Sequence, residues 1–394
     1  MPAIWVIDAY RAGERRQVHA LARAASDALG WTCETLQLRY RQGVFWPHLL
    51  RQATLAGVRP ADRDRLDAPW PDLVITAGVR NEPVGRWLQR ASGGRTRYVH
   101  VGRPWGHLDD FDLLVTTPQY RVSEHRNVLQ NDLTLHDLTA QGLAHSAAAW
   151  RARLAHLPRP WIGVLVGGNS GPYTLGPRAA DRLLDQARAA AARSGGSLLI
   201  TTSARTPATV NQRLRRRLAE AAAPVPYLLQ CWSEAAVSDN AADNVADNVG
   251  KNAYPGILAL ADGFVVTADS IAMLSEACAT GRPVFMFDCG GMRRDVLWHA
   301  GVPGSVGGKD TLALDRRLGG SLFRLLMRYC PDSWSRDISL VHRALEHAGR
   351  ASWLEDDTVI DAAGGAAGPP PNDLTSPDRQ RAVARIEALV AATG

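Results

Sequence analysis

The chain has 394 residues, a length that favours two domains, and its 46% hydrophobic and 21% charged residues are typical of a globular protein. Its formal net charge of +6 rests on arginine, because Lys251 and Lys309 are its two lysines. Together with the abundant alanine, this indicates the codon bias of a GC-rich genome. The net charge is therefore not taken as a sign of nucleic-acid binding.

Cysteine usage and hydropathy give an expected location. The five cysteines are scattered without CxxC spacing, which favours reduced thiols in a cytoplasmic protein. The first residues lead directly into a strand, so we expect no secretory signal, and apolar runs stay below the roughly 18 residues that span a bilayer. We expect a cytoplasmic protein, with peripheral contact at the inner membrane left open by its arginines.

The first part of the chain alternates strands with helices, which predicts a parallel, doubly wound sheet. Apolar runs predict strands at Ile4–Asp8, Thr32–Leu38, Leu73–Ala77, Arg97–Gly102, Phe111–Thr116 and Asn127–Asn131. Helical periodicity predicts helices at Glu14–Leu29, with Gly30 as the C-cap, and at Pro83–Arg90.

A second α/β unit follows an Arg/Ala-rich helical stretch at 137–158 that closes on Pro158 and Pro160. Its predicted strands are Trp161–Val166, Ser197–Thr202, Val225–Gln230, Phe264–Thr267 and Val284–Phe287. Its predicted helices are 178–193, 207–222, 254–261, 270–280, 314–329 and 334–350. We expect domains at 1–158 and 159–361, then a flexible linker and C-terminal helix over 362–394.

Residues 263–289 carry the strongest functional signal, a strand, a polar turn, a small-residue helix and a second strand. A strand that feeds a helix N-terminus favours anions, because the first N–H groups are unpaired and the helix dipole is positive there. Thr267 and Asp269 lie in the turn, and Ser270 is the expected N-cap. Glu276, two turns in, is placed to accept two ribose hydroxyls. This predicts the donor-nucleotide half of a GT-B-type glycosyltransferase.

Two further loops follow strands of the same predicted sheet. Gly167, Gly168, Asn169 and Ser170 form a glycine-containing turn, either a nest of N–H groups for a diphosphate or an ordinary tight βα turn. Thr202, Ser203 and Arg205 offer hydroxyls and a cation for a base or pyrophosphate, or they serve helix capping before Pro207, with Thr206 as N-cap. Because ligands of open α/β sheets bind along the carboxyl edge of the strands, the three loops together favour a nucleotide site.

Acidic and basic residues follow strands of the first domain as well. Asp8 and Glu14 are candidates for the base that deprotonates an acceptor hydroxyl. The alternative is that Asp8 caps and Glu14 begins a helix near its positive end. Arg80 and Arg103 either hold an acidic acceptor or are solvated. HExxH, Walker A, GxGxxG and GxSxG patterns are absent from the sequence, so we predict no metal site and no dinucleotide fold.

Several segments resemble the mitochondrial-fission ELM (elongated mitochondria) family. The matching segments are Gly13–Gln17, Phe111–Val115, Trp161–Ser170, Thr202–Pro207, Tyr254–Asp262 and Val266–Pro283. The last is the most specific, because it reads Thr-x-Asp-Ser-x-x-Met-x-Ser-Glu-Ala-x-Ala-Thr-Gly-x-Pro. The resemblance implies two Rossmann-like doubly wound domains facing a cleft, as in GT-B enzymes, with a nucleotide-sugar on the second. It implies Ser270 at the phosphate, Glu276 at the ribose and Met273 in the same site.

One departure from the family bears on catalysis. The family's first loop reads Gly-His-x-x-Gln, whereas Glu14 stands at the histidine position here. Our first hypothesis is an inverting, metal-independent glycosyltransferase without a cofactor, which takes a nucleotide-diphosphate sugar as donor and an unidentified acceptor. The alternative is a non-catalytic scaffold of the same family that binds a partner protein or a membrane surface.

Overall fold

The protein is described here by a computed structural model, for residues 1–41, 52–171, 173–220, 225–232, 252–290, 292, 329, 336–360, 374 and 376–392. The chain forms two compact units, residues 1–137 with 375–394, and residues 138–374. The predicted helix at 314–329, apart from its last residue, and the predicted linker lie outside the described residues.

The first unit contains a parallel sheet of six strands in the order β2-β1-β3-β4-β5-β6. The strands are β1 (Ala3–Ile7), β2 (Thr32–Leu36), β3 (Leu73–Ala77), β4 (Arg97–Val101), β5 (Leu113–Thr116) and β6 (Val128–Gln130). The helices are α1 (Ala12–Leu29), α2 (Pro60–Arg63) and α3 (Glu82–Ala91). The strand order reverses between β1 and β3, which makes their carboxyl ends the crevice where doubly wound folds bind ligands.

Helix α1 covers one face of this sheet because its apolar residues recur at helical spacing. Val18, Leu21 and Ala25 are fully buried, and the helix ends at Gly30, whose positive φ of 66° suits the predicted C-cap. The C-terminal helix, α10 (Pro377–Ala391), packs on the same core through Ala382 and Ile386. The C-terminal helix therefore belongs to the first unit.

The second unit holds another parallel sheet, in the order β12-β11-β10-β7-β8-β9. The strands are β7 (Trp161–Val166), β8 (Ser197–Thr202), β9 (Tyr227–Gln230), β10 (Gly263–Thr267), β11 (Val284–Phe287) and β12 (Ser352–Trp353). The helices are α4 (Ala140–Leu154), α5 (Pro177–Ser194), α6 (Ala208–Ala219), α7 (Ala253–Leu260), α8 (Ile271–Ala279) and α9 (Ser339–His347). Numbered within the unit, the order is 3-2-1-4-5-6, with its switch point between β7 and β10.

The division between the units differs from the predicted boundary at 158. Helix α4 belongs to the second unit, which begins at residue 138, because α4 packs against α7. Trp150 of α4 fills the space at Gly256 of α7, where a Cβ atom would lie 2.5 Å from the indole ring. The prolines after α4 end a helical stretch and resemble a domain boundary in the sequence. The packing of Trp150, in contrast, places α4 in the second unit.

The expected fold class is confirmed, since both units are α/β with doubly wound parallel sheets. Most predicted elements lie within two residues of the observed ones, but α6 ends at Ala219 rather than 222, and β12 was not predicted. Four free cysteines lie among the described residues, of which Cys289 alone is fully buried. In the described part of the chain, we find no helix with the length and apolar character needed to cross a membrane.

Candidate functional site

Three predicted loops meet at the switch point of the second sheet, and Asp269 joins them. Its carboxylate Oδ2 accepts a hydrogen bond from the Gly168 backbone N–H at 2.8 Å and from Arg205 Nη2 at 3.1 Å. These partners come from the loops after β7 and β8, while Asp269 follows β10. The structure therefore brings the predicted nucleotide-binding loops to one place at the carboxyl edge of the sheet.

In the Asp269–Arg205 pair, the carboxylate is buried and the guanidinium is half-exposed. Asp269 is 1% exposed, whereas the Arg205 side chain keeps 46% of its surface exposed. Burial raises the pKa of Asp269, and the Arg205 charge and the Gly168 N–H act against that rise. A buried carboxylate thus anchors a guanidinium whose other side remains available to an anion.

Gly167 and Gly168 are glycines because the loop packs closely. A Cβ at Gly167 would lie 2.5 Å from Asp269 Oδ2, and one at Gly168 would lie 2.2 Å from the Arg205 carbonyl oxygen. The Gly167 N–H donates to Thr267 Oγ1 at 2.7 Å, just as that of Gly168 donates to Asp269. Both amides are thus engaged by side chains, and the predicted nest for phosphate oxygens is not formed by these two groups.

Asn169 and Ser170 shape the same loop. Asn169 Oδ1 accepts from the Leu175 N–H at 3.0 Å, and the Asn169 carbonyl accepts from Arg205 Nη1 at 3.3 Å. Ser170 forms a bridge with Tyr173. The loop is therefore fixed before any ligand binds, which favours a preformed site.

The hydroxyl groups after β8 also serve the loop. Thr202 Oγ1 accepts from the Trp232 N–H at 2.9 Å, and Ser203 Oγ donates to the Gly167 carbonyl at 3.0 Å. Thr206 Oγ1 donates to the Gly167 carbonyl as well. Thr206 was predicted to cap the next helix, but α6 begins at Ala208 with Pro207 in the N-cap position. The threonine instead ties the loops after β7 and β8 together.

Helix α8 begins at the same edge with its N-terminus toward these loops. Ser270 occupies the N-cap position as predicted, but its side chain makes no capping hydrogen bond among the described residues. Met273 is the third residue of the first turn, whose N–H groups lack intrahelical partners by geometry. With the helix dipole, this end of α8 favours an anion.

Glu276 lies two turns into α8 and is 3% exposed. Its Oε2 accepts a hydrogen bond from the hydroxyl of Tyr254 on α7. The predicted ribose acceptor is therefore held in place by a tyrosine that the sequence reasoning did not identify. The separation of 22 positions along the chain gave no spacing signal for this contact.

His342 is a second residue that the sequence reasoning missed. It lies fully buried on α9, and its Nε2 is 2.6 Å from the Ala268 carbonyl oxygen in the turn between β10 and α8. Burial lowers the pKa of His342 to about 4, so the ring is neutral at pH 7 and donates from Nε2. This bond supports the turn that carries Asp269 and Ser270.

In the first unit, Asp8 lies at the carboxyl end of β1 and is already paired. Its Oδ1 accepts from Arg15 Nε at 2.9 Å and lies 3.2 Å from His19 Nε2. Burial acts to raise the pKa of Asp8, but the His19 hydrogen bond and the Arg15 charge outweigh it and lower the pKa. A carboxylate held ionised by two partners is a weak base, which makes Asp8 a poor candidate for that role.

Glu14 and Arg80 both lie in the neighbourhood of Tyr10 at the switch point of the first sheet. A Cβ at Gly78, whose φ is +84°, would lie 2.7 Å from Glu14 Oε2, so the glycine makes room for the carboxylate. The Arg80 guanidinium lies 5.2 Å from the ring centre of Tyr10, a neighbour of the same loop. Arg103, in contrast, stacks on Trp105 in the loop after β4.

The loop that carries Arg103 is clamped by Glu82, the first residue of α3. The Glu82 carboxylate accepts from the backbone N–H groups of Trp105 and Gly106 at 2.8 and 2.6 Å. Arg86 lies 3.3 Å away, and both side chains are 1% exposed. Burial raises the pKa of Glu82 to about 7, against the opposing effects of Arg86 and the two amides.

The described residues contain no group of three metal-ligating side chains.

Comparison with known proteins adds a family. A family model described as mitochondrial fission ELM1 matches residues 12–295. The mitochondrial fission protein ELM1 of Arabidopsis thaliana is 27% identical over 259 residues, which are 60% of this chain and 56% of that protein. The chain therefore matches little more than half the length of that relative.

Solved structures show weaker likenesses. Os79 of O. sativa in complex with UDP is 10% identical, with a TM-score of 0.47, and the match covers 98% of this chain and 100% of that one. The catalytic domain of starch synthase IV from Arabidopsis thaliana, bound to ADP and acarbose, is 10% identical with a TM-score of 0.45, covering 100% and 99%. TM-scores this low assign neither a ligand nor a reaction to this chain.

Proposed function

The chain belongs to the mitochondrial fission ELM1 family, and we propose that it is a GT-B-like glycosyltransferase that uses a nucleotide-diphosphate sugar as donor. The observation that carries the proposal is the convergence of three strand-end loops on Asp269 at a sheet's switch point, with Arg205 half-exposed beside the start of α8. A guanidinium and a helix N-terminus together suit a diphosphate.

In this proposal the nucleotide lies along the carboxyl edge of the second sheet. The diphosphate contacts Arg205 and the first turn of α8, and the Ser270 hydroxyl lies at that turn. Glu276 accepts the ribose hydroxyls, since a carboxylate has acceptor sites for several donors. Tyr254 holds the carboxylate in position.

The reaction is proposed as a direct displacement. An acceptor hydroxyl loses its proton to a general base, and its oxygen attacks the anomeric carbon of the donor sugar. The bond between that carbon and the diphosphate oxygen breaks, and the nucleotide leaves with the electron pair. Arg205 and the α8 dipole stabilise the negative charge that develops on the leaving group.

One observation favours the alternative of a non-catalytic scaffold. The Gly167 and Gly168 amides are occupied by Thr267 and Asp269, so the loop offers fewer free donors to a diphosphate than its sequence indicates. A thermal-shift screen of the full chain against UDP-, GDP-, CMP- and ADP-sugars separates the two. A shift with one of them supports the enzyme, and the absence of any shift supports the scaffold.

Calorimetry with UDP tests the donor site residue by residue. Glu276→Gln keeps an acceptor for Tyr254 but removes the charge, and we expect UDP to bind about 10- to 100-fold more weakly, as for the loss of hydrogen bonds to a charged group. Glu220→Gln, which removes the charge of an exposed carboxylate of the same unit, is the matched control, with affinity within a few fold of the wild type. Equal affinities for the wild type and Glu276→Gln contradict the ribose role.

A further inference from the structure

A small cavity in the first unit lies at the carboxyl ends of β4, β5 and β6, beside α1. Gln17, Thr116, Tyr120, Asn131 and two leucines are among the residues that line it. The space available to the centre of a water-sized group is about 10 Å³, enough for one water molecule or one hydroxyl group. The cavity lies along the edge where open α/β sheets bind ligands.

Asn131 gives this cavity its chemical character. The residue is 1% exposed, and neither Oδ1 nor Nδ2 of its amide has a hydrogen-bond partner among the residues that the structure describes. Its backbone is fixed, because its N–H donates to the Thr116 carbonyl at 2.8 Å. The Thr116 hydroxyl, 2% exposed, likewise has no partner within the described residues.

Unpaired buried polar groups of this kind are rare, because folding removes them from water without compensation. A carboxamide offers donors on Nδ2 and an acceptor on Oδ1, so its matching partner both accepts and donates. A hydroxyl group does both. Since all the lining residues are uncharged, the cavity favours a neutral partner over a phosphate or a metal ion.

The cavity has room for one hydroxyl group of a carbohydrate, with the sugar ring outside it. Leu133 and Leu135 supply apolar contact beside the amide, and Tyr120 supplies an aromatic ring of the type that packs on apolar surfaces. Gln17 follows Glu14 by three residues on α1, and residues at this spacing are neighbours on a helix surface. The cavity is therefore close to the carboxylate that is the candidate base.

We propose that Asn131 and Thr116 bind one hydroxyl group of a neutral carbohydrate. The assignment of that carbohydrate as the acceptor rests on the proposed function; the binding itself does not. The site makes the first unit selective for hydroxyl-bearing sugars over charged acceptors.

The test uses saturation-transfer NMR on the full chain with three probes, methyl glucoside, methyl galactoside and methyl N-acetylglucosaminide. Asn131→Leu removes the amide at similar volume, and Thr116→Val removes the hydroxyl. Asn211→Leu, a similar change on α6 of the second unit, is the matched control. We expect at least one sugar to give a signal with the wild type and with Asn211→Leu, and loss of that signal with Asn131→Leu.

Thermal unfolding and UDP titration of the same proteins make the outcomes distinguishable. Asn131→Leu should unfold at the wild-type temperature or above it, because an unpaired amide is removed, and it should keep the wild-type affinity for UDP. Signals that are equal in the wild type and Asn131→Leu overturn the proposal. So does a cavity that holds an ordered water only, which is recognised by the absence of sugar signals together with a lower unfolding temperature for Asn131→Leu. If the wild type does not bind UDP, that result counts against the donor site alone.

Discussion

Replacing Arg205 by methionine tests the electrostatic core of the candidate site. The methionine keeps much of the side-chain volume but removes the cation that pairs with Asp269 at 3.1 Å and contacts the Asn169 carbonyl at 3.3 Å. Asp269 then remains 1% exposed with the Gly168 N–H and without its guanidinium. We expect lower stability and weaker nucleotide binding from this one change.

The size of the stability loss follows from the burial of the two partners. Removing one partner of a fully buried pair costs about 3–5 kcal/mol. Arg205 is 46% exposed, so solvent already screens part of the interaction, and we expect about 1–3 kcal/mol. For a unit of this size, that corresponds to a fall of about 2–12 °C in the unfolding temperature. UDP should bind about 10- to 100-fold more weakly if Arg205 contacts the diphosphate.

The loss should also depend on pH. The pKa of Asp269 is higher in the folded state than its ordinary value of 3.8. Ionisation of Asp269 therefore lowers the stability of the fold as the pH rises from 3.8 to the folded-state pKa. Removing Arg205 raises the folded-state pKa of Asp269 further. The loss of unfolding free energy relative to the wild type should therefore be larger at pH 8 than at pH 5.

The assay is thermal unfolding at both pH values together with UDP calorimetry. Arg216→Met is the control, since its exposed i,i+4 contact with Glu220 is worth little. If Arg205→Met behaves like Arg216→Met at both pH values, the reasoning about the buried carboxylate is refuted. If it is destabilised but binds UDP normally, Arg205 is a structural residue and the diphosphate assignment fails.

Three other changes test the first unit. In the wild type, the free energy of unfolding should fall by about 3 kcal/mol between pH 4.5 and 7, because the pKa of Glu82 is raised from 4.5 to about 7 in the folded state. Glu82→Gln should remove this fall, and urea unfolding at pH 4.5 and 8 measures it. A fall of the same size in the variant would contradict the role given to Glu82. Gly78→Ala should cost about 1–2 kcal/mol, because its φ is +84° and the methyl would lie 2.7 Å from Glu14 Oε2, while Gly13→Ala, with open space around its Cβ, should be tolerated. Ile386→Ala, at a fully buried position, should cost about 2–5 kcal/mol, and near-wild-type unfolding would show that α10 adds little to this core.

Local sequence patterns were sufficient for most of the fold. The buried strands β3, β7 and β8 begin and end where predicted, since runs of apolar residues bounded by turn signals specify them. Helix α1 and its Gly30 cap follow from periodicity in the same way. Strand β12 was missed because its two residues, Ser352 and Trp353, are too few to form a pattern.

Long-range packing accounts for what was missed in the candidate site. His342 supports the turn after β10 from 74 residues away, and Tyr254 holds Glu276 from a different helix. Neither contact follows from spacing along the chain, because the strand order places distant segments together. The sequence identified which loops lie at the edge of the sheet, since every parallel strand presents its carboxyl end there, but not which side chains within those loops would pair.

The glycine pair after β7 shows the difference most clearly. Two consecutive glycines permit both a nest of N–H groups and a close approach of neighbouring groups, and the sequence alone cannot decide between them. Here the partners are Thr267 and Asp269, about 100 residues further along the chain, and they take up both amides. Binding of an anion at this edge must therefore depend more on Arg205 and on the N-terminus of α8 than on the glycines. Charge removal at residue 205 should then weaken nucleotide binding far more than a change of charge elsewhere on the surface of the second unit.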